Sequence, residues 1–103
     1  MKVLLACIAG MSTSLLVEKM KKEVRDKGLS DIEIKAEPIE NLDRVIDKYD
    51  VILLGPQARF KEKAVSELCK VHSKKYAIIP PQIYGMVDGA KTLELALRLA
   101  EKD

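Results

Sequence analysis

Tryptophan is absent, Phe60 stands alone and there are three tyrosines, so a base-stacking platform has little to build on. The formal net charge is only +2 and no basic stretch is interleaved with aromatics, which argues against nucleic acid as a partner. His72 is the only histidine, and beside two cysteines it leaves no zinc ligand set; no metal and no other cofactor is expected. The spacing of Cys7 and Cys69 suggests neither a disulfide framework nor a metal site. Lys2 followed by Leu4-Leu5-Ala6-Cys7 matches a bacterial lipoprotein cleavage box. Such a signal needs an apolar region of about 7–15 residues before the cysteine, and only Val3 to Ala6 stand there. With no other targeting segment, the expectation is a cytoplasmic chain whose thiols stay reduced.

What is present is ordinary globular material, 48% apolar and 33% charged over 103 residues, enough for one compact domain. Short apolar runs alternate with amphipathic stretches. Val3-Leu4-Leu5-Ala6 and Val51-Ile52-Leu53-Leu54 are apolar throughout, as parallel strands buried on both faces are. Residues 31–37 alternate Ile32, Ile34 and Ala36, the pattern of a more exposed edge strand, and residues 76–79 make a fourth strand before Pro80-Pro81. Helices are expected over residues 13–27, with Leu15, Leu16, Met20 and Val24 inward and Gly28 as terminator, and over residues 41–48, with Asn41 as cap. Two more are expected over residues 60–72, with Ala64, Val65, Leu68 and Cys69 inward, and from Asp88 onward, carrying Leu93, Ala96, Leu97 and Leu99.

Four strands alternating with four helices predict an α/β fold with a parallel sheet covered by helices on both faces. Right-handed crossovers, with the two wholly apolar strands placed centrally, give the order 2-1-3-4, a flavodoxin-like open sheet. Ligands in such sheets bind at the carboxyl ends of the strands where connections diverge, here between strands one and three. Cys7 follows the first of these strands and Gly55-Pro56-Gln57 the second.

The loop Cys7-Ile8-Ala9-Gly10-Met11-Ser12-Thr13-Ser14 joins a buried strand to a helix. Backbone N–H groups at a helix start make an anion site, Gly10 eases the turn, and the hydroxyls of Ser12, Thr13 and Ser14 can cap the helix or donate to phosphate oxygens. A thiol in such a setting is favoured as thiolate, the nucleophilic form. Neither a Walker lysine nor a Gly-x-Gly-x-x-Gly pattern is present.

Residues 7–16 resemble the active-site loop of the enzyme IIB components of the lactose/cellobiose (chitobiose) branch of the bacterial sugar phosphotransferase system. The resemblance continues through Leu54-Gly55-Pro56-Gln57 and Tyr84-Gly85-Met86-Val87-Asp88-Gly89, and so covers essentially the whole chain, read as a single IIB domain over residues 1–103. It implies a phosphotransferase in which Cys7 is transiently phosphorylated, with Ile8, Ala9, Gly10, Met11, Ser12, Thr13 and Ser14 holding the phosphoryl group. The donor it implies is a phosphohistidine on a IIA protein, and the acceptor a sugar held by the membrane-embedded IIC transporter. A cytoplasmic protein associated peripherally with that transporter, and monomeric when isolated, is expected. Cellobiose, chitobiose and lactose all remain open as the sugar. Ile8 is bulkier than the small residue expected at its position.

Two other classes compete. A low-molecular-weight tyrosine phosphatase has a similar fold and cysteine loop, but it places an arginine six positions after the cysteine to clamp phosphate, where this chain has Thr13. Its general acid would fall to Asp88, which reads more simply as a helix N-cap. A non-catalytic anion-binding regulatory domain is the third class; a response regulator would need an acidic cluster at the strand ends, and Asp50 starts its strand instead. Gln57 and Tyr84 lie on connections expected to overlook Cys7, where either touches phosphate or partner or is ordinary loop chemistry. Met11 is expected as an exposed apolar contact for partners, Cys69 as a core residue and His72 as a surface residue favoured by a helix C-terminus.

Overall fold

The computed structural model describes residues 1–8 and 11–102, with the side chains of Met11 and Ser12 left aside. Strands β1 (Lys2–Cys7), β2 (Glu33–Pro38), β3 (Val51–Leu54) and β4 (Lys75–Ile78) form one parallel sheet in the order β2-β1-β3-β4. The central strands are those that are apolar throughout, because both their faces are covered. Val3, Leu5, Val51 and Leu53 face one core with Leu16, Met20 and Leu93, while Leu4, Ala6, Ile52 and Leu54 face a second with Leu42, Ile46, Val65 and Cys69. Helices α1 (Met11–Asp26) and α5 (Gly89–Glu101) cover the first face; α2 (Leu42–Val45) and α3 (Glu62–His72) cover the second. A fifth, short helix, α4 (Pro81–Gly85), precedes α5.

Helix α1 begins two residues before the expected start, so that Thr13 lies inside its first turn. Its buried stripe is Thr13, Leu16, Val17, Met20 and Val24, whereas Leu15 is 50% exposed. The reason is angular: Leu15 lies 100° round the helix from Leu16, off the sheet-facing side. Ala64 on α3 is exposed for the same reason, one position before Val65. Gly28, at φ +67, ends α1 as expected, with Leu29 N–H donating to Val24 O and Gly28 N–H to Arg25 O.

Asn41 does not cap. The chain already turns at Ile39–Asn41, and the Asn41 side chain donates to Glu37 Oε1 while accepting from Arg44. Asp88 does cap, its Oδ1 accepting from Lys91 N–H at 3.0 Å at the start of α5. Pro80-Pro81 ends β4 but also opens α4, since proline fits a first helical position. Tyr84 is therefore buried on a helix and does not stand on an open loop. No helix among the described residues is long and apolar enough to cross a membrane.

Candidate active site

The site lies where the carboxyl ends of β1 and β3 part. Cys7 closes β1, half-buried, opposite Pro38 in the β2 register, and its Sγ donates to the Glu37 carbonyl at 3.6 Å. It is a free thiol. Four residues on, α1 starts. The macrodipole of a helix of 16 residues adds partial positive charge there, so an anion on Sγ would meet a field of the favourable sign.

Ile8 is exposed beside the thiol, Ser14 is exposed on α1, and Ala9 and Gly10 lie outside the described residues. Met11 and Ser12 contribute the first backbone positions of α1; the expected partner contact of the Met11 side chain lies outside the described residues. Thr13 points inward, 2% exposed, and its hydroxyl meets the Tyr84 hydroxyl at 2.8 Å. Gln57 is exposed on the turn Pro56–Lys61, and its Oε1 lies close over Gly55, where an added Cβ would be 3.3 Å away. Gly55 N–H donates to Ala6 O at 3.2 Å, tying the two diverging connections together.

Glu37 was not among the residues singled out by the sequence. Its contribution is a backbone carbonyl, set beside Cys7 by strand register, and no side-chain signal marks it. Val87 is the second such case: between α4 and α5 it sits at φ 50, a region that β-branched residues rarely enter. Cys69 is buried in the second core, and desolvation pushes its thiol above the ordinary range. His72 stands at the end of α3 with Nδ1 2.7 Å from Asp47 Oδ1, apart from the cysteine crevice. Asp50 accepts from Lys2 N–H at 2.8 Å, at the amino end of the sheet.

The crevice thus combines a half-buried free thiol, a helix start and no arginine in the segment after the cysteine. Comparison with known proteins agrees. Residues 2–95 match the family model described as PTS system, Lactose/Cellobiose specific IIB subunit. The cellobiose-specific EIIB component of Lactococcus lactis subsp. lactis is 41% identical over 102 residues, covering 94% of each chain. The galactose-specific EIIB component of Lactococcus lactis subsp. cremoris is 40% identical over 102 residues, again 94% of each. Among solved structures, the lactose-specific IIB domain of Streptococcus pneumoniae shares the fold, with a TM-score of 0.86 over 96% of both chains at 16% identity. On this full-length agreement the chain belongs to the lactose/cellobiose-specific IIB subunits of the sugar phosphotransferase system, and it is a phosphotransferase of that class.

Proposed function

We propose that the chain, as one IIB domain over residues 1–103, carries a phosphoryl group on Cys7 between a phosphorylated IIA protein and a sugar held by a membrane IIC transporter. The observation that carries this reading is the position of the Cys7 thiol, at the carboxyl end of β1 and just before the start of α1. In the first step Sγ attacks phosphorus; the S–P bond forms as the N–P bond of the donor phosphohistidine breaks, and the thiol proton ends on the histidine nitrogen that leaves. In the second a sugar hydroxyl attacks, the O–P bond forms, the S–P bond breaks, and the hydroxyl proton restores the Cys7 thiol. Backbone N–H groups of residues 8–14 receive the phosphoryl oxygens in between. In this reading the hydroxyl-bearing Ser12 and Ser14 belong to the same binding segment, and Gln57, on the turn that follows β3, is a candidate contact for the phosphoryl group or a partner.

The surface supports a protein partner on this side. Ile8, Leu15, Phe60 and Met86 are exposed large apolar residues, and all four lie on segments that follow the carboxyl ends of strands. Beside Ile8 an apolar groove of about 390 Å³ opens between Ile39, Leu42, Phe60 and Leu68. In this reading the chain works in the cytoplasm as a monomer, peripherally associated with its transporter, on a sugar of the cellobiose, chitobiose or lactose class. The test is intact mass after mixing with the general phosphotransferase proteins, phosphoenolpyruvate and the matching IIA. One added phosphoryl group mapped to Cys7 is the expected result. A group mapped elsewhere, or none with a IIA verified as phosphorylated, overturns it.

A further inference from the structure

Thr13 and Tyr84 are 71 positions apart in sequence, yet their hydroxyls meet at 2.8 Å in the interior. With Thr13 2% and Tyr84 7% exposed, bulk water does not substitute for either partner. Thr13 belongs to the first turn of α1, which begins four residues after Cys7. The Tyr84 ring lies over the end of β3, with its Cε1 3.8 Å from where a Cβ on Gly55 would be. One side chain therefore links the end of β3 to the start of α1.

We infer that Tyr84 is a positioning residue for phosphoryl transfer. Through Thr13 it fixes the first turn of α1 against the strand ends, and so sets the direction of the N–H groups that receive the phosphoryl oxygens. This rests on Cys7 being the phosphoryl acceptor. Tyr84 itself does not face the reacting atoms, since its ring is buried and its hydroxyl is engaged with Thr13. The turn behind it is fixed at both ends. Val87 N–H donates to Tyr84 O and Asp88 N–H to Ile83 O, each at 3.0 Å, and Asp88 then caps α5. Val87 is held at φ 50 in between, an unfavourable conformation that persists where the surroundings over-determine it.

The experiment compares Tyr84→Phe, Thr13→Val and the double variant with wild type. It measures thermal midpoint and single-turnover phosphoryl transfer from phosphorylated IIA at a series of donor concentrations. Each single variant is expected to lower the first-order transfer rate about tenfold, with the half-saturating donor concentration unchanged. Each also leaves one buried hydroxyl without its partner, so each lowers the midpoint; the double variant removes both and regains midpoint, but it does not regain rate. A double variant that recovers rate together with midpoint makes the pair merely structural and overturns the inference. An effect confined to the half-saturating concentration does so too, by making Tyr84 a docking residue. Wild type that takes no phosphoryl group refutes the reading of Cys7 instead. The partner-free rate of Cys7 alkylation by iodoacetamide then decides the positioning claim. A change of about threefold or more in both single variants supports it, and wild-type rates in both overturn it.

Discussion

Gly89 opens α5 where that helix crosses α1, and the contact is with backbone. A Cβ added at Gly89 would lie 2.6 Å from the carbonyl carbon of Lys19 and 2.8 Å from both its Cβ and its carbonyl oxygen. Against 3.4 Å, where ordinary van der Waals contact begins, the shortfall is about 0.8 Å. The tip of a flexible side chain would swing away, but the main chain of a helix moves only if the helix moves. Gly89→Ala therefore forces α1 and α5 apart by most of an ångström along the seam of Leu16, Met20, Leu93 and Ala96. Overpacking of this kind costs about 1–3 kcal/mol. Alanine returns less than about 1 kcal/mol of helix propensity, because this position is the first of its helix. The expected net loss of about 1–2 kcal/mol corresponds to a fall in thermal midpoint of about 4–15 °C for a domain of this size. Gly85→Ala is the control: an added Cβ there meets nothing within 4 Å, and its midpoint should stay within a few degrees of wild type. Thermal denaturation of both variants followed by circular dichroism is the assay. A Gly89→Ala protein as stable as wild type would refute the close approach of the two helices.

Ser73, exposed and at φ 58 after α3, should be improved by glycine. Ser73→Gly is expected to raise stability by about 0.5–1 kcal/mol in urea denaturation, and a lower midpoint would count against the left-handed cap. Burial holds the Cys69 thiol above its ordinary value of about 9 and the Tyr49 hydroxyl above 10, the latter also through Glu37 and Glu33. Both groups keep their protons in the fold at a pH where the unfolded chain has lost them. That stabilisation is complete below the ordinary values and is lost as pH rises through the raised ones. The urea midpoint should therefore decline above about pH 9, less steeply in Cys69→Ala, and a flat profile would contradict it. Finally, turnover of an aryl phosphate should be negligible; brisk hydrolysis that disappears in Cys7→Ser would favour the phosphatase class over the carrier.

The architecture was legible because its determinants are local and periodic. Two wholly apolar runs of four residues can only be central strands once the sheet is parallel, and handedness then leaves the order observed. The misplacements follow from information that a linear pattern does not carry. Leu15 and Ala64 are apolar and adjacent to core positions, yet 100° of helical rotation turns each to solvent. Asn41 has the chemistry of a cap, but the backbone turns earlier, after Pro38, and its side chain is taken by Glu37 and Arg44. Helix α4 escaped because Pro80-Pro81 reads as a break, and a proline that stops a strand is equally able to begin a helix.

The thiol at the end of β1 and a helix start soon after it were legible in the sequence; the partner of the Thr13 hydroxyl was not. Thr13 attracted attention as the residue standing where a phosphatase has arginine, with a hydroxyl free to donate to phosphate. The structure commits that hydroxyl to Tyr84, a pairing across 71 positions that no local motif encodes. In the proposed reading, what Thr13 would offer an anion on Cys7 is its main-chain N–H in the first turn of α1. A bidentate guanidinium would add two charge-assisted hydrogen bonds to the phosphoryl oxygens, and the segment after Cys7 has none to offer. The absence of arginine and the inward commitment of Thr13 thus act in the same direction. Under the proposed transfer on Cys7, both would favour a phosphothiol that waits for its acceptor over one that is discharged to water.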